Sequence, residues 1–324
     1  MAGRNLNIFA KELAQYELAS STQYLHAQAH ARAILIDSAA PREQWPSFSK
    51  QLDERLYYGA NLLISGGLEL LEGEGFADQA EKFLTRGAEA IEFLCNSIDS
   101  FKASPREELL KAALAYHIAS RHARAYVLMN KLKKYPEQNN EFFELLIAIF
   151  ERQLEHARSQ TILLFEEEGN NDVTISTMLS NGEISPEEAV DRLGKRSLTQ
   201  AVSLFLEYLK VGRKDYLNRA IEITKNIVQL GKESRDVGLW WTARMVRHIL
   251  NEFGDSSLWN CLGNFSPEGT DNFMIKRYIQ SNLMKQTPII NLWPSQIKAL
   301  WWILQQDKPS FGVRMPTSRL LKKA

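Results

Sequence analysis

In YLHAQAHARA, His26 and His30 lie four residues apart, so one helix face would carry both imidazoles at a spacing suited to a metal ion. The glutamate that makes HExxH a hydrolytic zinc motif is missing, since Ala27 follows the first histidine, and no third ligand stands near. His117, His122 and His156 are scattered along the chain, and all five point to structural or surface roles. Glu166, Glu167 and Glu168 put three carboxylates before Gly169, but acid–base work needs a pocket to set two carboxylates apart, and the run reads as a solvated helix end. GGLELLEGEG has four glycines yet matches neither GxGxxG nor GxxxxGK[ST], so its glycines, with Gly66 and Gly67, read as punctuation between helices. No local Ser-His-Asp or Cys-His signature stands out. The pairs Trp240–Trp241 and Trp301–Trp302 carry ring faces that stack bases or ligands. Neighbours on a helix point about 100° apart, so one tryptophan of each pair is expected inside and the other at a boundary.

The elements that must hold these residues are helical. In EFFELLIAIFERQLEHARSQTILLF, Phe142, Leu145, Leu146, Ile149, Phe150 and Leu154 recur at three- and four-residue steps and predict one amphipathic helix. SPREELLKAALAY begins with Ser104, Pro105 and Glu107, and SPEEAVDRL with Ser185, Pro186 and Glu188, both marks of a helix start. Gly212 marks a turn between two helices. The helices come in pairs. In LLKAALAYHIASRHARAYVLMNKLKKYP, Ala113, Tyr116, Ala125 and Pro136 resemble the small-residue and aromatic spacing of a tetratricopeptide repeat. The expected fold is all-α: an irregular array of helical hairpins, tetratricopeptide-like or a bundle, over residues 1–285. A short β-containing segment follows over 286–324.

The 324 residues carry 39 Lys plus Arg against 39 Asp plus Glu, so no global field draws the chain to nucleic acid or anionic lipid. Two cysteines without CxxC spacing, no signal-peptide pattern and no long apolar run predict a cytoplasmic protein with no membrane contact.

The C-terminal segment carries a different kind of signal. QTPIINLWPSQ has two prolines that break helix, SQIKALWWILQQD returns to it with Ser295 as its expected cap, and SFGVRMPTS is a strand candidate entering a turn. Leu292, Trp293, Pro294, Ser295 and Gln296, then a helix, then Phe311, Gly312, Val313 and Met315, Pro316, Thr317, Ser318 resemble the opening of superfamily 2 helicases of the DEAD/DEAH-box type. The resemblance implies that Gln296 reads adenine, Pro294 shapes its loop, residues 311–313 form the first core strand, and Pro316, Thr317 and Ser318 begin a phosphate loop. In that family ATP and magnesium are bound by the glycines, lysine and threonine that complete the loop. Here the sequence continues Arg-Leu-Leu-Lys-Lys-Ala, so no cofactor and no ATP turnover is expected of this chain. By this resemblance the chain would be the helical N-terminal extension of such a helicase, truncated inside its phosphate loop. Its partner would be a helicase core or another protein, with nucleic acid bound by the intact parent. The family implies work in nucleic-acid repair or defence against phage. The alternative is a free-standing helical-repeat scaffold that binds proteins.

Overall fold

A computed structural model describes residues 50–71, 76–96, 105–132, 135, 141–166, 172–263, 270–285, 289, 291–292 and 294–304. The chain divides into two compact units, Met1–Pro136 and Glu137–Ala324, and the helices read up to residue 285 span both. The described residues are helical with no strand, which is the all-α array expected from the periodicity. The strand candidate at 311–313 lies outside them.

In the first unit, α1 (Lys50–Leu70), α2 (Ala77–Asn96), α3 (Pro105–Ile118) and α4 (His122–Leu132) pack each on the next as successive hairpins. Gly66 and Gly67 do not punctuate this array; they lie inside α1. The reason is a close crossing. A Cβ on Gly67 would lie 2.7 Å from Leu84 Cγ, and one on Gly87 of α2 would lie 2.6 Å from Ile64 Cγ1 and 2.8 Å from the Ala60 carbonyl. Glycine on each helix lets the other's leucine or isoleucine sit against bare backbone. α3 is wedged between α2 and α4, and every residue from 112 to 117 is buried, so it has no solvent face to mark it as amphipathic. It ends in a Schellman turn: Arg121 N–H donates to the Tyr116 carbonyl (2.8 Å) and Ser120 N–H to the His117 carbonyl (2.9 Å), with Ser120 at φ 57°. Ala113, Tyr116 and Ala125 are buried in this pair, as the small-residue spacing requires.

The second unit holds α5 (Glu141–Phe150), α6 (Leu154–Glu166), α7 (Asp172–Ser180), α8 (Pro186–Val211), α9 (Lys214–Ser234), α10 (Val237–Asp255), α11 (Leu258–Gly263), α12 (Thr270–Leu283) and α13 (Pro294–Leu304). Its centre is α8, against which α6, α7, α9, α10 and α12 pack. Leu198, Val202, Phe205 and Leu209 of α8 meet Ile249 and Phe253 of α10 in the core, with the Phe205 and Phe253 rings 6.4 Å apart. Ser185 caps α8 as expected, its Oγ accepting from Glu188 N–H at 3.1 Å, while the Glu188 carboxylate turns to Arg192 instead of closing the box. Gly212 ends α8 at φ 75°, where a Cβ would also strike the Trp259 ring at 2.5 Å.

One expected helix is broken. The run from Phe142 to Phe165 divides at Arg152, which takes the left-handed conformation (φ 63°) while Gln153 N–H donates to the Ala148 carbonyl. This is a second Schellman turn, built without the usual glycine. Among the described residues no helix is long and apolar enough to cross a membrane.

Candidate functional site

Arg152 explains its own backbone. The left-handed turn aims its side chain away from α5, so that Nε donates to Asn291 Oδ1 at 2.8 Å and the guanidinium lies 4.9 Å from the centre of the Phe253 ring. Burial pulls the guanidinium below the usual arginine range and the Glu252 carboxylate opposes that pull. Asn291 is also bridged to Ser257, and Leu292 N–H donates to the Ser256 carbonyl (2.8 Å). One turn earlier the buried Asn282 of α12 donates from Nδ2 to the Ile289 carbonyl at 2.7 Å. Ile289 is thereby fastened to α12, and Asn291 and Leu292 to the α10–α11 corner.

That corner is itself locked from below. Ser257 Oγ donates to the Gly254 carbonyl (2.8 Å) and accepts from Asn260 N–H (3.1 Å). Its one proton is then committed, so in the 2.7 Å contact with Tyr208 the phenol is the donor. Burial raises the Tyr208 pKa above the usual phenol value. Trp259 Nε1 donates to the Leu209 carbonyl at 2.6 Å. The cluster contains no activated nucleophile and no pair of opposed carboxylates. Its chemistry is mechanical: it fixes where the chain leaves the helical body toward α13.

The predicted site residues sit at that exit. Pro294 opens α13 at the first helical position, where its missing N–H costs nothing, so Ser295 lies inside the helix and does not cap it. Gln296 follows, exposed. Pro316, Thr317 and Ser318 lie outside the described residues, as do His26, His30, Glu167 and Glu168. Trp240 is buried and Trp241 half-buried, as expected of neighbours on a helix. The second pair differs: Trp301 is 47% and Trp302 54% exposed.

The first unit turns its polar groups inward. Between α1 and α3, Tyr57 Oη donates to Glu108 Oε1 (2.7 Å), Lys111 Nζ donates to both Glu108 oxygens (3.1 and 3.2 Å) and to Asn61 Oδ1 (3.1 Å). Burial, then the Glu108 carboxylate, raises Tyr57, and the same two causes push the nearby Cys95 thiol up to about 12. A thiol so placed stays protonated at neutral pH, which excludes a thiolate nucleophile there. Tyr116 Oη donates to Glu92 (3.0 Å) and accepts from Arg124 (3.2 Å), whose other partner is Glu89. His117 and His122, read as scattered, meet across the α3–α4 turn with Nδ1 atoms 3.1 Å apart, one donating and one accepting. Neither Arg152 nor Asn291, Tyr208, Ser257 or Asn282 was singled out from sequence. Only an asparagine beside a Pro-rich break gave a trace of their role.

No family model matches the chain. It is similar to the Hachiman protein HamB of Bacillus cereus, with 25% identity over 296 residues. The likeness takes in 90% of this chain, which spans only about a quarter (24%) of HamB. This corrects the identification made from the C-terminal residues. No helicase and no tetratricopeptide model matches, and a likeness along 90% of the chain lies mainly over the helical body, not over the thirty-odd residues that carried the DEAD/DEAH-box resemblance. The idea of a phosphate loop truncated after Ser318 has no support from it and is withdrawn.

Proposed function

We propose that this chain is a helical accessory region of the kind found within a much longer HamB-like protein, and that it works beside an ATP-dependent nucleic-acid motor. The observation that carries this is the breadth of the likeness: nearly all of this chain against a quarter of its relative. A second feature supports it. Asn291 and Leu292, just before α13, are fastened to Arg152 and to the α10–α11 corner, which gives the chain a fixed point ahead of that helix. In this reading the helical body docks protein, and residues 286–324 lead toward the motor.

The test replaces the matching stretch of Bacillus cereus HamB with this chain and follows phosphate release in the presence of DNA. Deletion of the stretch should lower the DNA-stimulated rate, and insertion of this chain should restore it. Equal restoration by an unrelated helical array would overturn the proposal. So would robust ATP turnover by the isolated 324-residue chain that Gln296→Ala abolishes.

A further inference from the structure

The zero net charge of the chain is the sum of unequal parts, and two of them lie in the second unit. From Leu154 to Arg196 nine Asp and Glu stand against four Lys and Arg, a net −5. From Thr270 to Ala324 nine Lys and Arg stand against Asp271 and Asp307, a net +7. Each stretch contains a helix with apolar side chains on its outer face. On α6 only Ala157 and Thr161 are buried, and the opposite arc carries Glu155, Ser159, Ile162, Leu163 and Glu166, all exposed. Their steps from Glu155 are four, seven, eight and eleven residues, so they form one stripe, two aliphatic side chains with a carboxylate at either end. Glu155 pairs with Arg158 at 3.3 Å, and Glu166 forms no ion pair among the described residues. On α12, among its described side chains, only Ile279 and Asn282 are buried. Opposite them Phe273, Arg277, Gln280 and, just past the last helical residue, Met284 repeat the steps of four, seven and eleven, all exposed. Lys276, Arg277 and Lys285 are exposed there and form no ion pair among the described residues.

We infer that these two faces meet between two copies of the chain, α6 of one against α12 of the other. Both are exposed within a single copy, so neither covers the other there. They match in charge and in length: carboxylates bracket Ile162 and Leu163, cations stand beside Phe273 and Met284, and each stripe runs ~16 Å along its helix. Apolar side chains gathered on one stripe mark a surface that is covered in use, whereas scattered ones do not. A separate acidic partner would account for α12 alone and a separate basic one for α6 alone; a second copy accounts for both. The inference goes beyond the accessory-region reading and does not depend on it.

The experiment is sedimentation velocity of the complete 324-residue chain. At about 100 μM chain and about 50 mM salt, species larger than the monomer should appear, and at about 500 mM salt, where exposed charges are screened, they should give way to monomer. Glu155→Lys with Glu166→Lys should weaken association at least about tenfold, and so should Lys276→Glu with Arg277→Glu, since each sets like charges face to face. Both variants should match wild type in circular dichroism, because every substitution faces solvent. Mixed in equal amounts they should associate again, since the reversed α6 then meets the reversed α12. Tyr126→Ala, an exposed aromatic of the first unit, should leave association unchanged. The inference is overturned if the chain stays monomeric at low salt, if either charge-reversed variant assembles like wild type, or if their mixture does not assemble. A chain that restores HamB in the replacement test yet never self-associates sinks this inference alone.

Discussion

The two ends of the described chain solve opposite problems with the same residue types. In α1 to α4, tyrosine, lysine and glutamate are drawn inward: Tyr57, Glu108 and Lys111 satisfy one another, and Tyr116 is fully buried between Glu92 and Arg124. On α12, by contrast, Phe273, Lys276, Arg277 and Tyr278 are exposed, and among its described side chains only Ile279 and Asn282 are buried. The first hairpins commit their polar groups to one another, whereas those of α12 face solvent.

That separation can be broken at several points. The largest effect should come from Leu84→Ala, which empties the space against Gly67. A loss of about 3 kcal/mol is expected in urea unfolding. Glu108→Ala strips the acceptor from Tyr57 and Lys111 together and should cost about 2 kcal/mol. Arg152→Ala should cost about 1.5 kcal/mol and speed amide exchange at Leu292, whereas Arg152→Gly, which relaxes the left-handed backbone, should lose about 1 kcal/mol less. The Cys95 thiol is raised in the fold from 9.0 to about 12, so its contribution is intact below pH 9 and is lost as pH rises through 12. Cys95→Ala should therefore show a shallower alkaline loss of stability over that window. Smallest of all, Trp302→Ala should change stability by no more than about 0.5 kcal/mol. A large stability loss there would make α13 part of the core.

Periodicity was enough to read the helical class, the start of α8 at Ser185 and the turn at Gly212, because each depends on residues within one helical turn. Gly67 misled because a glycine needed for close approach looks the same in sequence as one needed for a turn; only Leu84 on the facing helix tells them apart. Arg152 was missed because left-handed helix ends are recognised by glycine or asparagine. Here the preference is overridden by a hydrogen bond to a residue 139 positions away. The His117–His122 contact follows from a tight turn that spacing alone did not reveal. The exposed tryptophans were misjudged for a related reason: the 100° rule says how two neighbours diverge, but not whether anything lies on either side. The charge split was open to inspection in the sequence and was hidden by summing over the whole chain.

The claim that Arg152 and its partners fasten Asn291 and Leu292 to the helical body is tested most directly by hydrogen exchange of the 324-residue chain and its Arg152→Ala variant. The account predicts faster exchange at Asn291 and Leu292 in the variant and no change in 50–132. Unchanged exchange at both residues would contradict it.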